Sequence, residues 1–245
     1  MYGKEDRWLN RRLGMITASE LGQITSASGK ITQGNLSYIR AKRWERRHGF
    51  SHPVTARAME IGNAQEPYAF EWCKENLGLD SLVYSKELDE IPFWTAPDGL
   101  SGASPDAFVS DESIVVEIKT LVGATAIEFF GDERTSFEEK KAAVWADHGN
   151  QILGQWISND KVKEIWLVKY IYQDDDIPAD RDNPLAPWRG LVFKFKREDF
   201  AQSIEAMRER IRLINAMIDA PDNPADFTKG EWYVNKEGKL CQSIA

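Results

Sequence analysis

Three residues near the middle of the chain, Asp106, Glu117 and Lys119, have side chains that could act together. Side chains alternate between the two faces of a β-strand, so within residues 115–119 Glu117 and Lys119 point one way while Val116 and Ile118 point the other. A turn that brings Asp106 back beside them would gather two carboxylates and an ammonium. Such carboxylates suit Mg²⁺, and a nearby lysine can orient or activate an attacking water. The segment therefore suggests metal-dependent phosphodiester hydrolysis.

The same segment also has an ordinary structural interpretation. Residues 115–119 are typical of a half-exposed strand that is apolar on one face and solvated on the other. Ser104-Pro105-Asp106 is common turn chemistry. From these residues alone, both interpretations stay open.

Polar residues elsewhere could complete a site. Glu66 lies one helical turn after Gly62 and is either a surface acid or another acid near the metal. In the second case Gly62 would allow the backbone or DNA to approach closely. Gln151 and Gln155 share a helix face at i, i+4 and either solvate a surface or hold a water or a phosphate.

Arg12 and Ser19 flank the start of a helix. Thr17 and Glu20 have the spacing of a capping box, which marks that start. Free backbone N–H groups and the helix dipole favour an anion there, and the arginine would add charge-assisted hydrogen bonds. The segment predicts a phosphate pocket, unless Ser19 only supports the cap and Arg12 is solvated.

Hydrophobic periodicity predicts an α/β (α+β) protein whose central mixed β-sheet is flanked by helices. In the second helix, Leu36, Ile39 and Trp44 are expected on the apolar side and the arginines on polar faces. A kink is expected near His148-Gly149, a surface loop over Gln173–Pro187 and an irregular tail from Pro221. The first predicted helix begins at Thr17, and four more are predicted over 35–49, 55–77, 138–158 and 197–220. The predicted strands are Leu82–Leu88, Phe93–Ala96, Ala107–Val109, Ile114–Lys119, Glu164–Tyr172 and Arg189–Lys196.

Composition excludes several classes of protein. The 245 residues show no internal repeat, which predicts one domain over residues 1–245. No apolar run approaches the ~18–20 residues that span a bilayer, and the N-terminus has no apolar signal core, so a cytoplasmic protein without membrane contact is expected. Cys73, Cys241 and the three histidines have no metal-ligand spacing, so a zinc site is not expected.

The charge is distributed unevenly. Residues 1–57 hold eleven Lys and Arg against four acids, a balance of +7. Because the net charge of the whole chain is −8, the remaining residues carry −15. This polarity fits a protein that meets phosphates on one face, or simply a basic helical region with solvated arginines.

The order of these elements resembles the phage lambda exonuclease and YqaJ-type viral recombinase family, a branch of the PD-(D/E)xK nuclease superfamily. The resemblance covers about residues 7–220 and leaves 221–245 as a tail. It implies a restriction-endonuclease-like core in a single nuclease domain. The matching segments are Arg12–Ser19, Gly62-x-x-x-Glu66, Ser104-Pro105-Asp106, Glu117-Ile118-Lys119, the helix with Gln151 and Gln155, the strand 191–196 and the long last helix.

The resemblance also implies residue roles at the centre of the site. Asp106 and Glu117 look like metal-binding carboxylates, with the carbonyl of Ile118 as a further ligand. Lys119 looks like the residue that positions or deprotonates the nucleophilic water. Glu66 is similar to the family's helix-borne acid near a second metal.

Further roles concern the DNA. Arg12, Thr17 and Ser19 look like a pocket for a 5′-terminal phosphate. Met59 falls where the family has an apolar wedge that splays the duplex end, although a helical methionine is more often core, and Arg57 is close to a basic contact. In the glutamine helix Gln151 is the better match, while Gln155 is the alternative functional amide.

The activity implied is a Mg²⁺-dependent 5′→3′ exonuclease with two ions per site, for which Mn²⁺ is an expected substitute. It would degrade linear double-stranded DNA from 5′-phosphorylated ends and leave a 3′ single strand for recombination by annealing. A ring-shaped homo-oligomer, typically a trimer, a single-strand annealing protein as partner and a phage or prophage origin are also implied. The acidic tract 173–182 and the tail have no counterpart in the family pattern.

Two alternatives have different functions. One is a structure-specific or restriction-type endonuclease on the same core. The other is a catalytically idle DNA-binding recombination accessory protein, against which the intact set of Asp106, Glu117 and Lys119 speaks.

Overall fold

The computed structural model of the protein describes residues 3–50, 57–121, 123–171, 183–220 and 229–243. Within these ranges the chain forms six α-helices, namely α1 (Lys4–Arg12), α2 (Gln33–His48), α3 (Arg57–Asn76), α4 (Gly123–Gly131), α5 (Phe137–Ser158) and α6 (Ala201–Asp219). The strands in the same ranges are β1 (Ile16–Thr17), β2 (Leu82–Tyr84), β3 (Trp94–Thr95), β4 (Ser101–Ala103), β5 (Ala107–Val109), β6 (Ile114–Leu121), β7 (Glu164–Ile171), β8 (Gly190–Lys196), β9 (Trp232–Val234) and β10 (Leu240–Gln242). Short 3₁₀ helices cover Ala18–Gln23, Ser85–Glu87, Pro187–Arg189 and Arg197–Phe200.

The main sheet has five strands in the order β2-β5-β6-β7-β8. Strands β6 and β7 are parallel, and the other neighbours are antiparallel. Parallel neighbours need a long crossover, and α4 and α5 lie between β6 and β7 in the chain. The prediction of a mixed sheet flanked by helices is therefore confirmed.

Both faces of this sheet are covered by helices. On one face Val115 packs in the apolar core that includes Trp156 of α5 and Ile214 of α6. On the other face Val116 and Ile118 pack in the core under α3. Because the central strands are buried on both faces, β6 and β7 are nearly continuous apolar runs, and the charged residues of β6 interrupt such a run.

A small second sheet positions the segment that follows α1. Strand β1 pairs in parallel with β4, and β4 pairs with β3. The 3₁₀ helix Ala18–Gln23 begins directly after β1, and the Thr17 N–H donates to Oε2 of Glu20 at 3.0 Å, so the predicted cap is present. A Cβ added at Gly154 of α5 would lie 2.6 Å from Cβ of Ala18, which brings α5 unusually close to this segment.

Helix α2 ends as predicted but is oriented differently. Gly49 follows it with a φ of 63°, the left-handed conformation that glycine favours. The prediction that Trp44 lies on the apolar side was wrong, because its side chain is 58% exposed while Arg43 is 5% exposed. Position 43 lies one turn after Ile39, on the same helix face, so the position rather than the residue type decides which side chain is buried.

Other predicted elements also need correction. Helix α5 runs without a break through His148-Gly149. Gly149 is required there because an added Cβ would lie 2.9 Å from the Trp145 ring. The tail after Pro221 is not wholly irregular, since β9 and β10 form a hairpin that turns at Gly238, where φ is 76°. Helices α1 and α4 and strand β4 were not predicted.

Some predictions lie outside the described residues. These are the first residues of the predicted helix 55–77, most of the loop 173–187 and residues 221–228. No helix in the described ranges is long and apolar enough to cross a membrane. That residues 1–245 form one domain stays a prediction.

Candidate active site

One pocket lies where β6, the central strand of the main sheet, meets the segment after α1. It brings together predicted site residues that are far apart in the chain. These are Arg12, Thr17, Ser19, Glu66, Asp106, Glu117, Lys119 and Gln151. The lining also includes Trp8, Asn63, Lys86, Phe93 and Ser104, none of which was assigned a role from the sequence.

Glu117 is the buried centre of the site. Its side chain is 1% exposed, and Oε1 accepts hydrogen bonds from Nζ of Lys119 at 2.6 Å and from Nε2 of Gln151 at 2.5 Å. Oε2 accepts a hydrogen bond from Nε2 of Gln155. A buried carboxylate is costly unless donors surround it, and two amides and one ammonium fill that role here.

Asp106 is held by the backbone of the neighbouring strand. Its Oδ2 accepts a hydrogen bond from the N–H of Ile118 at 2.8 Å. This N–H does not bond to β5, because β5 pairs with β6 only at Ala107 and Phe108, so it is available to the Asp106 side chain. The N–H and C=O of one strand residue point to the same side, so the carbonyl of Ile118 also faces the Asp106 side.

Negative charge is crowded in this pocket. Burial, followed by the carboxylates of Glu117 and Glu66, raises the pKa of Asp106 well above its ordinary value. For Lys119, burial favours the neutral amine, but Glu117 and Asp106 outweigh it and raise its pKa. A further cation in the pocket would relieve the repulsion among the acids.

The available ligands fit Mg²⁺, which keeps several waters, better than a metal that is coordinated entirely by side chains. In the part of the chain that the structure describes, no three His, Cys, Asp or Glu side chains form a metal-binding group. Asp106, Glu117 and the Ile118 carbonyl offer two carboxylates and one backbone oxygen on one side of β6. Mg²⁺ typically uses one or two carboxylates and keeps several waters, so these residues suffice.

Glu66 enters the pocket from α3 and is already paired. Its Oε2 lies 2.8 Å from Nζ of Lys86, and its Oε1 accepts a hydrogen bond from the Tyr84 hydroxyl at 3.0 Å. Burial and then Glu66 raise the pKa of Tyr84, so this hydroxyl stays a donor. Sequence patterns missed Lys86 because the predicted strand Leu82–Leu88 ends at Tyr84, and the following 3₁₀ turn directs Lys86 towards α3.

Arg12 of α1 forms the part of the pocket wall next to Trp8. Its guanidinium lies 4.1 Å from the centroid of the Trp8 ring, and Trp8 Nε1 donates to Oγ of Ser104 at 2.6 Å. Burial lowers the pKa of Arg12, although Glu20 and Glu45 act in the opposite direction. Trp8 was missed, but its position four residues before Arg12 on a helix was a usable signal.

The hydroxyls of Thr17 and Ser19 form the neighbouring part of this wall. Their Oγ atoms lie 3.2 Å apart, with Thr17 buried and Ser19 exposed. Arg57 and Met59 begin α3, but their side chains lie outside the described part of the chain. Of the two predicted amides, Gln151 lines the pocket, whereas the buried Gln155 holds Glu117 from behind.

A lysine–histidine pair, Lys169 and His148, lies beside the site. Lys169 on β7 faces Lys119 across the parallel pair, and its Nζ lies 2.7 Å from Nε2 of His148. Burial, followed by Lys169 and Lys119, lowers the pKa of His148 to about 3. His148 is therefore neutral near pH 7 and accepts the hydrogen bond from Lys169.

Comparisons with known proteins relate the sequence to one family. The sequence profile described as the YqaJ-like viral recombinase domain matches residues 7–148. No curated protein matches the sequence.

Solved structures give the fold. An alkaline exonuclease from Laribacter hongkongensis is 20% identical, with a TM-score of 0.60 over 87% of this chain and 94% of that one. Its complex with dAMP gives 21% identity, the same TM-score and the same coverage. A phage-related exonuclease from Haemophilus somnus 129PT is 15% identical, with a TM-score of 0.56 over 80% of this chain and 90% of that one. The fold is restriction-endonuclease-like, as predicted.

Proposed function

Because the chain belongs to the YqaJ-like viral recombinase domain family, we propose that it is a Mg²⁺-dependent 5′→3′ exonuclease that degrades linear double-stranded DNA. One observation carries the proposal. A single pocket is lined by two carboxylates that suit Mg²⁺, a lysine beside them, and an arginine from α1. This combination suits hydrolysis of a phosphodiester close to a terminal phosphate.

Mg²⁺ held by Asp106, Glu117 and the Ile118 carbonyl would polarise the scissile phosphate and offset the charge that develops on it. Lys119 has a raised pKa, so it carries its proton and donates a hydrogen bond that orients the attacking water. Gln151 and Gln155 fix the Glu117 carboxylate from the α5 side. Fixed groups of this kind lower the barrier because they need not reorganise during the reaction.

Directionality would come from the wall that carries Arg12. The guanidinium stacks on Trp8, which fixes its plane, and the hydroxyls of Thr17 and Ser19 lie in the same pocket. A terminal phosphate can accept two parallel hydrogen bonds from arginine and one from each hydroxyl. The helix dipole contributes little here, because Ala18–Gln23 is a six-residue 3₁₀ helix.

DNA is the proposed polymer for two reasons. The solved structures that share the fold include proteins named as exonucleases, and one of them was determined with dAMP, a nucleotide of DNA. The basic N-terminal region 1–57 gives an acidic protein a face that can meet phosphates. A ring-shaped homo-oligomer, a single-strand annealing protein as partner and the single-domain organisation are parts of the same proposal.

The experiment that tests this function compares four DNA substrates in the presence of Mg²⁺. They are a linear duplex with 5′-phosphate ends, the same duplex with 5′-hydroxyl ends, a single strand and a closed circle. We expect a 5′ label to be released early as a mononucleotide, while a strand labelled at its 3′ end shortens progressively. Rapid cutting of the closed circle would instead indicate an endonuclease, and inactivity on all four substrates would contradict the proposal.

A further inference from the structure

The outward side of α2 carries basic and aromatic side chains in a continuous row. Arg40, Trp44 and Arg47 follow one another at i, i+4 and i+7, which places them on one helix face. His48, the last residue of α2, lies on the same face at i+8, and the exposed Phe50 follows two residues later. All five side chains are exposed, and we call them the α2 stripe.

The arginines of the α2 stripe are not neutralised. Among the residues that the structure describes, neither Arg40 nor Arg47 forms an ion pair. Glu45, the acid of this helix, turns inward, where its Oε2 lies 2.9 Å from Nζ of the buried Lys42. The stripe is therefore a row of positive charge without an acid on the same face.

Helix α6 shows the alternative arrangement, with the partly buried Arg208 and the exposed Arg212 both paired. Arg208 lies 3.4 Å from the carboxylate of Glu205, and Arg212 lies 2.6 Å from that of Glu209. Both arginines therefore have a carboxylate partner one turn away on the same helix. Among the described residues, an exposed helical arginine can therefore have a carboxylate partner, as in α6, or no ion pair, as in α2.

The aromatic members of the stripe indicate the kind of ligand. The Trp44 indole is not part of either apolar core, and its ring centroid lies 3.9 Å from that of His48. An exposed ring beside arginines suits a base that can stack on it. Bases in a duplex are already stacked on one another, so exposed rings favour an unpaired strand.

We propose that the α2 stripe binds single-stranded DNA, with the arginines contacting phosphates and Trp44 stacking on a base. The identity of the polymer rests on the proposed function, in which digestion leaves one strand unpaired. The position of the helix supports the link to the pocket. Arg46 Nε donates to the carbonyl of Gly14 at 2.8 Å, and Gly14 lies two residues after Arg12. The helix with the stripe thus contacts the segment that forms the phosphate wall.

Binding of a fluorescein-labelled oligothymidylate, measured by anisotropy in EDTA, tests this proposal without hydrolysis. The double variant Arg40→Ala/Arg47→Ala is compared with Arg208→Ala/Arg212→Ala, which removes the same charge from α6. We expect the α2 variant to bind more weakly and to lower the salt slope of log K by about 1.4, since each phosphate contact on a single strand contributes about 0.7. We expect the α6 variant to bind within about twofold of the unchanged protein.

Trp44→Ala tests stacking separately from charge. We expect it to bind the oligothymidylate about fivefold to a hundredfold more weakly with an unchanged salt slope. Because the stripe side chains are exposed, the α2 variants should keep the thermal midpoint of the unchanged protein, and Arg40→Gln/Arg47→Gln repeats the charge test with good helix formers.

Three results would overturn the proposal. They are wild-type affinity in Arg40→Ala/Arg47→Ala and in Trp44→Ala, no binding by the unchanged protein at low salt, and a change of oligomer mass in the α2 variants, which would make the stripe a contact between copies of the chain. A failure of the exonuclease proposal is distinguishable, because it would appear as inactivity on linear duplex with Mg²⁺ while binding in EDTA persisted.

Discussion

The carboxylate of Glu117 accepts a hydrogen bond from the ammonium of Lys119, its neighbour two positions along β6, at 2.6 Å. The pleat of the strand places both side chains on the α5 side of the sheet. Lys119 therefore does not stand alone in the pocket, because a buried carboxylate fixes both its position and its charge. An ammonium fixed in this way is suited to orient water rather than to remove a proton from it.

Lys119→Ala should lower the turnover rate on linear duplex by about two to four orders of magnitude, the usual contribution of a positioned proton donor or acceptor. Affinity for DNA measured in EDTA should change little, because a single phosphate contact is lost at most. Single-turnover kinetics with Mg²⁺ measure the first quantity and anisotropy measures the second.

Lys161→Ala is the matched control for this change. Lys161 is an exposed lysine that pairs with Glu112 away from the pocket, so its removal should leave the rate unchanged. If Lys119→Ala degraded DNA as fast as this control, the assignment of the active site would be wrong.

Asp106 should make the metal-free protein less stable as the pH rises. Burial and nearby carboxylates raise its folded pKa above the unfolded value of about 3.9, so the native state binds this proton more tightly. The resulting stabilisation is complete below the unfolded pKa and is lost as the pH rises through the folded pKa. Asp106→Asn should therefore raise the thermal midpoint in EDTA near neutral pH and have a smaller effect near pH 4.

The exposed Asp111 provides a control with the opposite sign. Hydrogen bonds from Ser113 lower the pKa of Asp111, so Asp111→Asn should give no gain in midpoint at neutral pH. Adding Mg²⁺ should raise the midpoint of the unchanged protein by mass action and have little effect on Asp106→Asn. Equal stabilisation of both proteins by Mg²⁺ would remove Asp106 from the metal site.

The sequence predicted the parts of this site that depend on local geometry. The alternation of β6 and the Thr17 cap follow from neighbours a few positions apart, and both are present. Lys86 could not be found in this way, because it meets Glu66 across two elements whose packing no local pattern encodes. Strand β4 was missed for a similar reason, since Ser101-Gly102-Ala103 has little strand preference and is fixed by pairing on both sides.

The orientation of α2 was mispredicted for a different reason. Trp44 was placed inside by its residue type, although its position five residues after Ile39 lies on another face of the helix. Strict use of the 3.6-residue period would have exposed Trp44 and buried Arg43. The error concealed the α2 stripe, which is visible only when the indole and the two arginines share a face.

Gln155→Leu should lower the free energy of unfolding by about 1–3 kcal/mol, because the buried Glu117 carboxylate loses a donor that water cannot replace. Gln151→Leu should cost less, since Gln151 lines the pocket and water can take the place of its amide. Urea denaturation at neutral pH in EDTA measures both variants. Equal costs would mean that burial does not distinguish the two amides.

Arg12→Ala should abolish most of the preference for a 5′-phosphorylated end over a 5′-hydroxyl end. A charge-assisted contact to phosphate corresponds to about tenfold or more in rate, so the ratio of the two rates should fall by this factor. Initial rates on the two duplexes measure the ratio directly.

Arg11→Ala is the control for this change, because Arg11 lies next in sequence but pairs with Glu90 outside the pocket. It removes the same charge from α1 and should keep the preference. The phosphate pocket would be refuted if both variants, or neither of them, lost the preference for the phosphorylated end.

Two glycine substitutions should have opposite effects on stability. In Gly154→Ala the new Cβ would lie 2.7 Å from Cα of Ala18, so α5 and the 3₁₀ segment must separate, at a cost of about 1–3 kcal/mol in unfolding free energy. In Gly62→Ala the new Cβ would meet, among the described residues, only Oγ1 of Thr120 at 3.8 Å, so the helix should gain up to about 1 kcal/mol.

The same pair separates the structural requirement for glycine from a functional one. Gly154→Ala should lose exonuclease activity together with stability, because Thr17 and Ser19 lie on the segment that is displaced. Gly62→Ala should be stable, so any loss of its activity would report DNA approaching α3 one turn before Glu66. Thermal midpoints and rates on 5′-phosphorylated duplex measure both effects. Full activity in a stabilised Gly62→Ala protein would show that DNA does not need the space at this position.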